Sequence, residues 1–360
     1  MKNNKNIKSS LRELASSLPN YFADPVQTGV YPIDKLLNGG IDLGTFVQLI
    51  AEPGIGKSTI ALQVAKNLCS QGYNVLYVDS EHSVSRETLT SIGLFNYKDK
   101  FFLVKESEFA SVEKVLDDFI LTEEINFVVI DSMACLINPC FTNIGSKKGS
   151  ISVTTNNSNY MSGPMNKFMS KYKSLAAKYN IGFIVINQNR NSVNMTTGTI
   201  LKMYGPKNVE YDTDTIIRIK PIKATILKDF KELTKDVVGG NALSFEIVKS
   251  NKAEPNAVCP GYLMYGRGIS NLWTYIYQLK KNGVIEQKST FYTLDYHGVS
   301  IKGQGILNFA KSLKENNISE ENLKELIDSM DGTTDCIEVD VSSDDSDDDF
   351  EFEYEISKVE

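Results

Sequence analysis

A lysine and a hydroxyl, Lys57-Ser58, close the run Ala51-Glu52-Pro53-Gly54-Ile55-Gly56-Lys57-Ser58-Thr59. A glycine-bearing turn that ends this way is suited to a polyphosphate. Backbone N–H groups between Pro53 and Gly56 point at phosphate oxygens, and the following helix N-terminus favours negative charge. Lys57 would reach the β- and γ-phosphates, and the Ser58 hydroxyl would enter the shell of a magnesium ion. The residues from Glu52 through Ile55 to Thr59 are therefore the expected nucleotide-binding stretch. The pattern normally opens on Gly, and here it opens on Ala51, which is tolerated where φ is negative. Residues 46–50 are an apolar run that reads as a buried strand, and 60–68 are apolar at helical spacing.

Three further positions carry chemistry. Asp131 ends the apolar run Phe127-Val128-Val129-Ile130. A carboxylate at the end of a parallel strand beside such a loop would hold the magnesium shell through water. Glu81 follows Tyr77-Val78-Asp79-Ser80 and is expected to align and deprotonate an attacking water, on a strand adjacent to the phosphate-loop strand. Asp79 is its rival, and His82 receives no role. Gln188 follows Phe183-Ile184-Val185-Ile186-Asn187, and an amide there can bond a γ-phosphate and change conformation when it leaves.

These residues need a scaffold that brings strand ends together. Strands are expected over 74–78, 101–104, 126–130 and 181–186, with helices over 112–121 and 165–178. That alternation predicts a mostly parallel sheet with helices on both faces. Segments 215–220, 241–249 and 261–265 read as an antiparallel extension, and 271–330 as a small C-terminal α+β lobe with helices over 272–279 and 306–313. Residues 1–30 form an N-terminal segment with an amphipathic helix (Leu11, Leu14, Ala15, Leu18), and 31–270 the core. Two long loops interrupt it, at about 138–162 with Lys147 and Lys148, and at about 190–210 with Arg190, Lys202 and Lys207. Amides, hydroxyls and sparse cations suit a phosphodiester backbone, although such loops could equally bind protein.

The net charge of −7 hides an asymmetry. Residues 331–360 hold thirteen Asp or Glu against one Lys, a net −12, which leaves +5 on 1–330. The tail reads as disordered, either a polyanion competing for a basic surface or a solubilising extension. Five cysteines without a CxxC pair, and two histidines, argue for a reduced compartment and against zinc. No signal core or run of roughly 18 apolar residues is present, so a cytoplasmic, non-membrane protein is expected.

The phosphate loop, Tyr77-Val78-Asp79-Ser80-Glu81-His82, Val129-Ile130-Asp131-Ser132 and Ile186-Asn187-Gln188, in this order, resemble the RecA family of strand-exchange recombinases over roughly 25–315. Thr28-Gly29-Val30-Tyr31-Pro32-Ile33-Asp34 and Gly303-Gln304-Gly305 are similar too, and the stretch from Gly205-Pro206 to Thr215 is closer to phage UvsX recombinases. The resemblance implies a P-loop NTPase of RecA type, ATP with Mg2+, a phage or viral source, and a helical homo-oligomeric filament on single-stranded DNA that pairs with duplex DNA. In a phage it would act in the host cytoplasm, with single-strand-binding and mediator proteins as partners. It implies Lys57, Glu81 and Gln188 as catalytic residues and the two loops as the DNA channel, with Arg190 at the start of the second. It also implies Lys249 as a cation reaching a neighbour's ATP, with Lys252 a weaker candidate. The family's adenine-contacting Asp and Tyr are Ser85 and Thr88 here. The alternatives are a hexameric RecA-fold helicase motor and a low-turnover paralogue acting as mediator.

Overall fold

The computed structural model describes residues 24–136, 158–194, 198–203, 207–222 and 239–330, with the backbone alone described over 158–162, 189–194, 198–203 and 207–208. The expected N-terminal helix, most of the first loop with Lys147 and Lys148, and the acidic tail lie outside them.

The phosphate-loop strand is central in the sheet order and is buried along its whole length. After helix α1 (Tyr31–Leu36), β1 (Phe46–Ala51) is buried at all six positions. Helix α2 (Lys57–Ser70) follows, then β2 (Val75–Asp79), α3 (Arg86–Ile92), β3 (Phe101–Val104), α4 (Phe109–Leu121), β4 (Phe127–Asp131) and α5 (Ser158–Tyr179). Strand β5 (Gly182–Asn194), β6 (Gly198–Met203), α6 (Lys207–Asp212) and β7 (Thr215–Pro221) follow, with β5 and β7 completing the parallel half and β6 pairing antiparallel with β5. The order is β3-β2-β4-β5-β1-β7, all parallel. Parallel strands need both faces covered, and the near-continuous apolar runs meet that need. Val47, Leu49, Ile184 and Ile186 meet Ile60, Val64 and Leu68 of α2 on one face. Phe46, Phe183 and Val185 meet Leu116 of α4 and Phe168 and Tyr172 of α5 on the other. The Phe46 and Phe183 rings stack at 4.3 Å.

The antiparallel extension is β8 (Gly240–Ser250), β9 (Val258–Met264) and β10 (Gly268–Ser270), running outward from β7. The C-terminal lobe has α7 (Asn271–Lys281), a three-stranded antiparallel sheet of β11 (Ile285–Lys288), β12 (Phe291–Tyr296) and β13 (Val299–Gln304), then α8 (Ile306–Glu315) and α9 (Glu320–Met330). Among the described residues no helix is long and apolar enough to cross a membrane.

Two expectations are corrected. The second loop is not structureless: β5 runs past Gln188 to Asn194 and turns back as β6, and α6 follows. Polar residues 187–194 lack the apolar alternation of a half-buried strand, but pairing with β6 supplies their backbone bonds. Strand β2 is also not adjacent to β1, because β4 and β5 lie between them.

Candidate nucleotide site

The strand ends on the loop side carry the site. Gly56 caps α2 with φ +98°, the left-handed region that favours glycine, and no side chain caps that helix. A Cβ on Gly56 would stand 2.5 Å from Leu263 Cδ2, so the tight turn is also shaped by β9. Ala51 ends β1 in extended register with Gln188 and is absent from the positive-φ residues. Its methyl is therefore accommodated. A pocket of about 260 Å³ opens here, lined by Pro53, Gly54, Gly56, Lys57, Ser58, Glu81 and Gln188. Glu52 and Ile55 lie within the same loop, and Thr59 in the first turn of α2.

Lys57 is nearly buried, and its Nζ donates to the carbonyls of Ala51 at 3.0 Å and Glu52 at 2.8 Å. Burial lowers its pKa, while Glu81, Asp131 and Glu52 pull it back up. Glu81 reaches the pocket although β2 is three strands from β1. Beyond β2 the chain crosses the end of β4, and the Ser80 N–H donates to the Asp131 carbonyl at 2.8 Å. Glu81 Oε1 then accepts from Ser132 Oγ at 2.7 Å, from Gln188 Nε2 at 3.4 Å and from Cys135 Sγ at 3.6 Å.

Asp131 is fully buried, and the Tyr77 hydroxyl donates to its Oδ2 at 2.7 Å. Burial raises its pKa to about 6, opposed by the Tyr77 and Ser58 hydroxyls and assisted by Glu81 and Asp79. Its Oδ1 is buried and meets no donor. An orphaned carboxylate oxygen beside a serine hydroxyl is a hard-oxygen donor set, and it fits magnesium. The uncapped N–H groups at the start of α2 fit a phosphate.

The rival carboxylate is otherwise occupied. Asp79 is fully buried, accepts the N–H groups of Ser83 at 3.1 Å and Val84 at 2.9 Å, and faces Lys105 at 3.7 Å. It fixes the turn after β2. Ser85 and Thr88 also have local work: Ser85 Oγ caps α3 by accepting the Thr88 N–H at 3.2 Å, and their hydroxyls lie 3.1 Å apart.

The remaining expected residues lie elsewhere. Lys249 does not line the pocket. Its Nζ donates to the carbonyls of Glu210 at 2.9 Å, Tyr211 at 2.8 Å and Thr213 at 2.7 Å, a cation closing the C-terminal end of α6. Lys252 pairs with Asp42 at 2.9 Å. Arg190 and Lys202 are register partners across the β5–β6 hairpin, and Lys207 opens α6. Tyr77, Ser132 and Cys135 were not singled out from sequence. Only Ser132 carried a signal, as the hydroxyl next to Asp131.

A family model described as "RecA N-terminal domain" matches residues 3–270. The chain belongs to the RecA family. RecA of Synechococcus elongatus is 25% identical over 292 residues, covering 81% of this chain and 77% of the relative. RecA of Staphylococcus aureus is 26% identical over 290 residues, covering 80% and 78%. A crystal structure of the RadB recombinase aligns with a TM-score of 0.48 at 22% identity, over 68% of this chain and 97% of that one. These RecA relatives are bacterial, and the phage or viral source expected for this RecA-family chain finds no support in them.

Proposed function

We propose that this RecA-family chain is an ATP-dependent, cytoplasmic recombinase. In this reading it polymerises on single-stranded DNA as a helical filament and promotes homologous pairing and strand exchange with duplex DNA. One observation carries the reading. Gln188 faces Glu81 across the phosphate pocket, and the strand that bears it continues without a break into the β5–β6 hairpin. The proposed nucleotide contact and the hairpin that carries Arg190 and Lys202 thus share one element.

In this mechanism the N–H groups ahead of α2 and the Lys57 ammonium hold the triphosphate. Ser58 and Asp131 would hold magnesium, which when bound supplies positive charge against the phosphates. Glu81 aligns a water and takes its proton. Its Ser132 donor at 2.7 Å fixes the carboxylate's orientation. Gln188 leaves Glu81 for the γ-phosphate when nucleotide binds and returns after hydrolysis. Arg190, Lys202 and Lys207, with Lys147 and Lys148 of the first loop, hold the DNA backbone, so affinity falls with salt. For Lys249 to reach a neighbour's ATP it would have to leave the three carbonyls of its own chain. The hydroxyls of Ser85 and Thr88 satisfy each other, which favours a relaxed choice of base.

The test is ATP turnover with and without single-stranded DNA at two salt concentrations, on the wild type and Lys57→Ala. DNA-stimulated turnover that weakens with salt and vanishes in the variant is expected. Electron microscopy with a slowly hydrolysed analogue should then reveal filaments. Closed rings would favour the helicase motor, and absent turnover the mediator.

A further inference from the structure

Gln48 is the one polar residue inside β1, and it is fully buried. A buried amide is strongly destabilising unless it is hydrogen-bonded, and this one is bonded at both ends. Its Oε1 accepts from Asn187 Nδ2 at 3.3 Å. Its Nε2 donates to Thr213 Oγ1 at 2.5 Å and approaches the Val209 carbonyl at 3.5 Å. Thr213 Oγ1 donates onward to the Val209 carbonyl at 2.6 Å, and Asn187 Oδ1 accepts the Gln188 N–H at 2.9 Å. Gln48, Asn187, Thr213 and Val209 have no exposed surface.

The topology gives this chain of amides its meaning. Asn187 pairs with Ile50 near the end of the β1–β5 register, one residue before Gln188, after which β5 enters the hairpin. Val209 lies in α6, the helix into which the hairpin returns, and Thr213 follows its end. The outgoing and returning limbs are therefore joined through one side chain. That side chain sits on the strand that becomes the phosphate loop three residues later. Lys249 pins the same end of α6 from its other side, through the Thr213 carbonyl at 2.7 Å.

We propose that Gln48 is a positioning residue that couples nucleotide occupancy to the conformation of the β5–β6 hairpin and α6. This rests on the nucleotide-driven reading above. When Gln188 turns from Glu81, its backbone N–H carries the Asn187 amide with it. Water does not reach these fully buried groups, so the Asn187 amide cannot exchange its partner for solvent. Gln48 follows, and Thr213 and α6 follow Gln48. A close-packed interior shifts between discrete arrangements rather than stretching, so the limbs move together.

The experiment uses the full chain with Gln48→Met, close in length and without hydrogen-bonding groups, and Thr213→Val at the far end. Hydrogen exchange of peptides spanning 189–212 is followed with and without a slowly hydrolysed ATP analogue and magnesium. Affinities for the analogue and for single-stranded DNA are measured alongside. In the wild type the analogue should protect 189–212 and tighten DNA binding by about tenfold, within the usual range of coupling between sites. In each variant the analogue should bind within about threefold of wild type while both responses shrink towards none. The double variant should be no worse than either single one, because both interrupt one path. Gln48→Glu, which keeps the acceptor for Asn187 and can accept from Thr213 only when that hydroxyl turns away from the Val209 carbonyl, should restore part of the response. A purely structural role would lower nucleotide affinity and melting temperature together with the response. Either variant keeping the wild-type response overturns the proposal, and Thr213→Val carries the test should Gln48→Met not fold. A wild type that binds the analogue without any response at 189–212 or in DNA affinity overturns the functional reading itself, and the coupling with it.

Discussion

Asp79 and Glu81 stand two residues apart after the same strand, and their surroundings give them different work. Asp79 satisfies two turn N–H groups from full burial, whereas Glu81 is exposed to the pocket and receives Ser132, Gln188 and Cys135. Glu81→Gln should therefore keep nucleotide binding and lose about 100-fold or more in turnover, the usual scale of a general base. Asp79→Asn should chiefly lower the melting temperature, since an amide cannot accept both N–H groups and also face Lys105 as a charge. A larger loss of turnover in Asp79→Asn than in Glu81→Gln, without loss of stability, would exchange the two roles. Asp34 supplies a pH dependence. Its carboxylate accepts the Thr28 N–H and hydroxyl, each at 2.7 Å, and the Gly29 N–H at 2.9 Å. Burial nevertheless pushes its pKa up to about 6 from 3.8. The folded chain thus binds this proton more tightly than the unfolded one. The resulting stability is fully present below about pH 4 and is lost as pH rises through about 6. The difference in urea midpoint between wild type and Asp34→Ala should widen as pH falls from 7 to 4, and a narrowing difference would count against this account.

At the scale of elements, the hairpin separates what sequence could show from what it could not. The core strands were legible because parallel strands buried on both faces must be continuously apolar, and Phe127-Val128-Val129-Ile130 or Phe183-Ile184-Val185-Ile186 has few other readings. The strand–turn–helix setting of Lys57-Ser58 was legible because the pair sits at a fixed distance from an apolar strand and a helical run. The β5–β6 hairpin was not, since Asn187-Gln188-Asn189-Arg190-Asn191-Ser192 lacks the apolar alternation that marks a strand, and the two strands of the hairpin pair with each other. Helix α1 was missed because six residues with a proline near the start leave little periodicity. Strand order was also beyond local sequence. Glu81 meets Gln188 only because the chain crosses over β4, a contact between residues 107 apart. The same element yields a prediction. Replacing Arg190, Lys202 or Lys207 singly with Ala should weaken single-stranded DNA binding and reduce the logarithmic salt slope by about 0.7 each, the value for one lost phosphate contact on a single strand. An unchanged slope in all three would remove the hairpin from the DNA interface.

For the molecule as a whole, charge is divided along the chain, with −12 on residues 331–360 against +5 on the rest. If the tail competes with DNA for the body, deleting 331–360 should raise duplex affinity at low salt, and the gain should fade as the Debye length shrinks. Gel-shift titrations at two ionic strengths would measure this, and equal affinities with and without the tail would leave it a solubilising extension. The 13-residue strand β5 has a different consequence. At about 3.3 Å per residue it is roughly 40 Å long, with one end in the parallel sheet and the other in the hairpin. If the hairpin holds DNA as proposed, tension on that DNA would pass along β5 towards Gln188 and the pocket it lines. Turnover on a stretched strand should then depend on pulling force, and the nucleotide site would act as a strain gauge.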